Sequence, residues 1–64
     1  MRARMVSLGI KKYKEIKSGS IFRIAREKGH DYYIKKDYYF VELSNPTRAY
    51  RPLWGGTHCE VFEI

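Results

Sequence analysis

Residues 21–43 read IFRIAREKGHDYYIKKDYYFVEL, and this stretch determines the class of fold. It contains three runs of strand length in which β-branched and aromatic residues dominate. The residues between the runs, at 27–31 and at Asp37, are typical of turns. The pattern therefore predicts β-strands at 21–26, 32–36 and 38–43.

The segments on both sides of this stretch add two more strands and one weak helical signal. Gly55-Gly56 predicts a two-residue hairpin loop of the kind that tolerates positive φ at both positions, joining strands at 50–54 and 57–62. Pro52 has no backbone N–H, so we expect its strand to lie at a sheet edge or to contain a bulge. Apolar residues recur every third position within 9–17, which is compatible with a helical turn or with an extended chain.

Short strands at this spacing predict a mainly β protein, a small five-stranded barrel of the SH3-like or OB-like kind with at most a short helical turn. The chain has 64 residues, which is the size of one domain. We therefore interpret 1–64 as a single domain, in which residues 1–8 are a candidate flexible basic arm.

The cysteine and histidine content limits the chemistry. Cys59 is the single cysteine, and the histidines are His30 and His58. An intramolecular disulfide is thus impossible, and we expect neither a complete zinc site nor a cofactor. Domains of this size that are secreted usually carry several disulfides, so we predict a cytoplasmic protein. The apolar run at 5–10 is shorter than the roughly 7–15 residues of an export segment, and we expect no membrane association.

Charge gives the first indication of a partner. Thirteen Lys and Arg residues against seven Asp and Glu give a net charge of +6. Such a charge favours acidic partners, with DNA or RNA first and an acidic protein second. A second basic group lies outside the central strands and is a candidate phosphate-gripping arm, made of Arg2, Arg4, Lys11, Lys12, Lys14 and Lys17.

Strand alternation divides the aromatic residues between two faces. Tyr32-Tyr33 and Tyr38-Tyr39 are adjacent pairs, whose members point to opposite sides of a strand. We predict one face as the core, made of Phe22, Ile24, Tyr32, Ile34, Tyr39, Val41 and Leu43. The opposite face then carries Ile21, Arg23, Tyr33, Lys35, Tyr38, Phe40 and Glu42.

Aromatic rings between cations are what a sheet needs to stack bases and neutralise phosphates. We therefore predict a protein that binds nucleic acid with little sequence specificity. The predicted centre of the site is Arg23, Tyr33, Lys35, Tyr38 and Phe40. Charge from Arg26, Lys36, Arg48 and Arg51 is expected to assist. Burial of this second face under another segment is the competing interpretation.

Two further alternatives stay open. Trp54, beside the glycine pair, either caps the core or is an exposed recognition ring. The whole chain is alternatively a protein-interaction module, such as a phage-type host modulator or a small subunit of a larger complex. We expect no enzymatic activity, because neighbouring His58 and Cys59 point apart on a strand and the His30-Asp31 pair is typical of a turn.

Overall fold

A computed structural model describes residues 4–29 and 31–64, which form one mainly β sheet with almost no helix. Six antiparallel strands are present among these residues. They are β1 (Val6–Lys12), β2 (Ile21–Ile24), β3 (Tyr33–Lys35), β4 (Phe40–Glu42), β5 (Ala49–Tyr50) and β6 (His58–Glu63). The order across the sheet is β1-β6-β2-β3-β4-β5, so β1 and β5 are its edges. The mainly β class is confirmed, whereas the sheet is not closed into a barrel.

The first strand is the main addition to the predicted elements. β1 pairs with β6 along its length and includes Val6 to Leu8, which were candidates for the flexible arm. A β-bulge between Ser7 and Gly9 interrupts its register, and Gly9 has a φ of 98°. The bulge breaks the alternation by which a strand is recognised, because it places an extra residue in β1. Residues 1–3, with Arg2 of the basic group, and His30 lie outside the described residues.

The sheet curls around its core. Tyr13 follows β1 in a short 3₁₀ helix, η1 (Tyr13–Glu15), and its ring centroid lies 6.2 Å from that of Phe40 on β4. β1 and β4 are four positions apart in the sheet, which is about 19 Å at the usual strand spacing of about 4.8 Å. The ring contact therefore requires the sheet to bend, so that the end of β1 approaches β4 across the core.

The predicted assignment of residues to faces is wrong for β3 and β4. Phe22 on β2 is paired directly with Tyr33 on β3, so these two rings share one face. Tyr33 and Phe40 are 8% and 4% exposed. The residues of the inner, core-facing side are Phe22, Ile24, Tyr33, Lys35, Phe40, Cys59 and Val61, with Tyr13, Ile16 and Leu53 packed on them. A shift of one residue in β3 and β4 relative to β2 exchanges the faces.

The outer face of the sheet is also partly covered. It carries Ile21, Arg23, Ile34, Val41, Glu60 and Phe62, which alternate with the inner residues. Ile21 and Val41 are buried there, at 9% and 5% exposure, and the Tyr32 ring contacts that of Phe62 at 5.3 Å. Val41 was predicted as core and is buried, but on this outer face. Tyr39, also predicted as core, is 43% exposed in the turn before β4.

Gly55 and Gly56 form a turn, but not the predicted hairpin. The Thr57 N–H donates to the Trp54 carbonyl at 2.9 Å, which closes a four-residue turn. The segment before this turn does not pair with β6, because β6 lies between β1 and β2 and β5 pairs with β4 at the far edge. The positive-φ glycines in the described chain are Gly9 and Gly19, so neither glycine of the pair uses the positive φ that the predicted loop type tolerates.

Candidate functional site

The structure separates the five residues of the predicted binding centre. Tyr33 and Phe40 belong to the aromatic core, with ring centroids 5.0 Å apart. Their burial leaves no ring face open to a base. Tyr38, in contrast, is 85% exposed in the turn between β3 and β4.

Lys35 has partners inside the protein. Its Nζ donates to the Tyr13 carbonyl at 2.9 Å and the Ile16 carbonyl at 2.7 Å. The same nitrogen lies 4.5 Å from the centroid of the Tyr13 ring, at the distance of a cation–π contact. Lys35 therefore connects η1 to β3, and its ammonium group is engaged in contacts within the protein.

Arg23 is engaged on the outer face. Its Nε donates to Glu60 at 2.9 Å, and Ser7 donates to the other oxygen of that carboxylate at 2.6 Å. The hydrogen bonds from Ser7 and Arg23 lower the pKa of Glu60. This network ties β1, β6 and β2 together, since each strand contributes one of the three side chains.

The four assisting cations lie in different places. Lys36 precedes Asp37 and Tyr38 in the β3–β4 turn, and Arg51 is exposed after β5. Arg48 lies 4.0 Å from Glu42, whose carboxylate also accepts a hydrogen bond from Tyr50. Lys36 also lines a cleft with Tyr39, Val41 and Pro46, and Arg26 lines the cleft that contains Trp54.

That cleft has a volume of about 460 Å³ and lies beside the end of β2. It is lined by Ala25, Arg26, Trp54, Gly56, Thr57 and His58. Trp54 is 80% exposed, so the interpretation of this ring as a cap of the core is wrong. We call this site the Trp54 cleft.

Local backbone pairing builds the two walls of the Trp54 cleft. The Ala25 N–H donates to the His58 carbonyl at 3.0 Å, which extends the β2–β6 ladder to the cleft. Helix η1, directly after β1, holds the turn, because the Tyr13 N–H donates to the Thr57 carbonyl at 2.8 Å and the Lys14 N–H to the Gly55 carbonyl at 3.1 Å. Helix η1 therefore fixes the turn that presents Trp54, next to the paired ends of β2 and β6.

The residues around the Trp54 cleft are mainly basic. None of the lining residues is acidic, and Arg26 contributes a guanidinium. Lys12 is the register partner of His58, and the Lys14 side chain packs over Gly55. Glu15 lies on the same segment, where its carboxylate accepts the Lys12 N–H at 3.0 Å. Cations thus outnumber carboxylates around an exposed indole.

Sequence reasoning identified Arg26, Trp54 and the lysines separately but did not bring them together. The missing information was the position of β1 beside β6, which places Lys12 and Lys14 next to the turn. The signal that was available is the Trp54-Gly55-Gly56 sequence, because a ring next to a tight turn is held away from the sheet faces.

Tyr38 marks a second exposed aromatic site, next to the start of β2. The Lys36 N–H donates to the Tyr39 carbonyl at 2.8 Å to close its turn, and Gly19 N–H donates to the carbonyl of Lys35 at 2.6 Å. The Trp54 cleft lies at the end of β2, near Ala25. The two exposed rings are therefore at opposite ends of that strand.

The His58–Cys59 pair is divided between solvent and core. His58 is exposed, whereas Cys59 is fully buried and its thiol lies 3.6 Å from the Thr57 carbonyl. Burial raises the pKa of Cys59 from its ordinary value of 9.0 to about 11, against a smaller lowering by Lys35. The described residues contain no group of three or more His, Cys, Asp or Glu side chains arranged to hold a metal ion.

Comparison of the chain with protein-family models, curated proteins and solved structures finds no match. Within residues 4–29 and 31–64, no helix has the length and apolar character needed to cross a membrane.

Proposed function

We propose that this chain is a small basic protein that binds nucleic acid, with little sequence specificity, through the Trp54 cleft. The observation that carries the proposal is an indole ring 80% exposed in a cleft that also contains Arg26 and no acidic lining residue. Tryptophan is among the residues most enriched at binding hot spots, and an exposed ring beside a cation is suited to stack on a base.

The two kinds of group have separate roles in this proposal. Arg26, Lys12 and Lys14 neutralise phosphates, and the counterions released from the nucleic acid supply the free energy of binding. Trp54 stacks on a base, which is sequence-tolerant because every base has an aromatic face. Neither contact reads base edges, so the proposed binding discriminates weakly between sequences.

We also propose a type of fold and a cellular location for the chain. The curled, open sheet is proposed as an incomplete barrel of the SH3-like or OB-like kind, whose binding group lies at a strand end instead of on a sheet face. A cytoplasmic location belongs to the same proposal, because it is where a nucleic-acid-binding protein with one reduced thiol would act.

Fluorescence anisotropy with labelled oligonucleotides at several salt concentrations tests the proposal. Affinity should fall as salt rises, with a log–log slope of about −0.7 to −0.9 per phosphate contacted. Arg26→Ala should flatten that slope by about one unit and weaken binding to all sequences alike. Lys17→Ala is the matched control, since Lys17 carries the same charge near the start of β2, away from the Trp54 cleft.

The control decides whether the Trp54 cleft is the site. Equal effects of the two substitutions would show that overall charge, not the Trp54 cleft, drives binding. Absence of binding to any oligonucleotide at low salt, where a protein of net charge +6 should bind at least weakly, would reject the proposal.

A protein partner is the second candidate, and one observation favours it. The edge strand β1 is exposed along its length, and Val6, Leu8 and Ile10 are 55%, 48% and 55% exposed. An added strand could pair with this edge, and Lys11 and Lys12 suit an acidic one. An NMR titration with an acidic, valine-containing peptide should then shift the amide signals of Val6 to Ile10 and leave those of Arg26 and Trp54 unchanged.

A further inference from the structure

We propose that the Trp54 cleft takes one unpaired base of a single strand, and that Gly56 is the positioning residue for the indole ring. This inference rests on the proposed function and adds the class of nucleic acid. It follows from how the ring lies on the turn.

One face of the ring is occupied by the protein itself. A Cβ atom placed on Gly56 would lie 2.5 Å from both Cη2 and Cζ3 of Trp54, far inside van der Waals contact. The six-membered part of the indole therefore rests on the α-carbon of Gly56. The side chain is nevertheless 80% exposed, so the face away from Gly56 is open. One open face accepts one stacked base.

The glycine at 56 is needed for space and not for backbone conformation. Gly56 is not among the positive-φ residues, which are Gly9 and Gly19 in the described chain. An alanine could therefore adopt its φ, but its methyl group would push the ring off the turn. Gly56 thus determines where the stacking surface lies, and it touches the ring without needing to touch the ligand.

The shape of the Trp54 cleft favours a single strand over a duplex. In a duplex both faces of each base are stacked on neighbours, so a ring can stack only on a base that is unpaired or flipped out. Reading a duplex groove requires an element that projects into it. Here the ring borders a recess of about 460 Å³, which is in the range of sites for one small ligand.

Trp54 is the single tryptophan of the chain, so its fluorescence reports on the Trp54 cleft alone. We would titrate the full chain with oligodeoxythymidine, oligouridine, an abasic oligomer of the same length and a duplex. Both single strands should quench the emission, and the abasic oligomer and the duplex should not. Affinity for the abasic oligomer should be lower by about 5- to 150-fold, which corresponds to the loss of one stacked base.

Gly56→Ala keeps the Trp54 ring but should displace it, so this variant tests the position of the ring. It should weaken binding to oligodeoxythymidine and reduce the quenching, as Trp54→Ala weakens binding. Its affinity for the abasic oligomer and its salt slope should equal those of the unsubstituted protein, since the cations are unchanged. A variant that had simply lost its fold would change all of these, and Tyr38→Ala, with an exposed ring removed elsewhere, should change none.

The outcomes distinguish this inference from the proposed function. Equal affinity for duplex, abasic and base-containing oligomers, with steep salt dependence, would overturn the unpaired-base inference and leave the proposed phosphate binding intact. Wild-type quenching by oligodeoxythymidine in Gly56→Ala would overturn the positioning role. Failure of every oligomer to bind at low salt would overturn both.

Discussion

The buried aromatic cluster and the exposed Trp54 ring differ in their position relative to the strands. Tyr13, Phe22, Tyr33 and Phe40 pack with ring centroids 5.0–6.2 Å apart, mostly edge to face. Trp54 belongs to a turn beyond the strand ends and is 80% exposed. The curl of the sheet, and not the type of aromatic residue, therefore decides which ring is buried.

The same comparison explains the size of the core. A 64-residue chain buries only about 60% of the surface that its unfolded form exposes. The inner face uses four rings to fill a small volume, because aromatic side chains bury about 150–250 Å² each. Trp54 and Tyr38, which lie in turns and are 80% and 85% exposed, add little to this core and are accessible for binding.

The largest expected effect is the loss of the ring at the centre of the cluster. Phe22 is 0% exposed and contacts Tyr13, Tyr33 and Phe40. Phe22→Ala should lower the free energy of unfolding by about 3–5 kcal/mol, enough to unfold much of a marginally stable chain. Urea denaturation followed by circular dichroism measures this. Tyr38→Ala is the exposed control and should cost less than about 0.5 kcal/mol.

Adjacent lysines offer a second test of the division between inner and outer positions. Lys35 donates to two backbone carbonyls, whereas Lys36 is exposed in the next position. Lys35→Ala should cost about 1–3 kcal/mol, because the Tyr13 and Ile16 carbonyls lose a charged donor. Lys36→Ala should cost less than about 0.5 kcal/mol. Equal thermal midpoints for the two variants would contradict the inner-face assignment of Lys35.

Alkaline pH tests the burial of the inner face without a substitution. Burial raises the pKa values of Cys59, to about 11, and of Tyr13 and Tyr33 above their ordinary value of 10.0. When the pKa of an acid is higher in the folded chain than in the unfolded chain, there is a pH range in which the acid is protonated in the folded chain and ionised in the unfolded one. The contribution of this protonated group to the free energy of unfolding is therefore complete below the pKa of the unfolded chain. It is lost as the pH rises toward the pKa of the folded chain.

Stability should accordingly fall above about pH 8.5–9, where the Cys59 thiol ionises in the unfolded chain. The loss due to this thiol should be at most about 1.4 kcal/mol per pH unit. Thermal unfolding between pH 7 and 10.5 measures it, and Cys59→Ala should flatten the slope between pH 9 and 10. A thiol that reacts rapidly with a disulfide reagent in the folded protein would contradict the burial.

Sequence alone predicts the class of fold and most turns, because these depend on local residue preferences. It did not predict the relative register of β2, β3 and β4, since Tyr32-Tyr33 offers an aromatic residue to either face. That pair is resolved only by the cross-strand partner, Phe22 opposite Tyr33. Long-range pairing also determines the Trp54 cleft, where β1 brings Lys12 and Lys14 to a turn more than 40 positions later.

The smallest expected effect on stability is the loss of the Trp54 ring from the free protein. This substitution directly tests the difference between the buried aromatic cluster and the exposed ring. Trp54→Ala should change the free energy of unfolding by less than about 0.5 kcal/mol, since the ring covers Gly56 but no core residue. The native emission should resemble that of free tryptophan. Iodide should quench it more than caesium does, because Arg26, Lys12 and Lys14 attract anions to the Trp54 cleft. Added salt should reduce this difference between iodide and caesium by screening. At low salt, Arg26→Ala should also reduce it, whereas Lys17→Ala should leave it unchanged. A blue-shifted emission that neither ion quenches would place the ring in the core and remove the stacking surface from the proposed function.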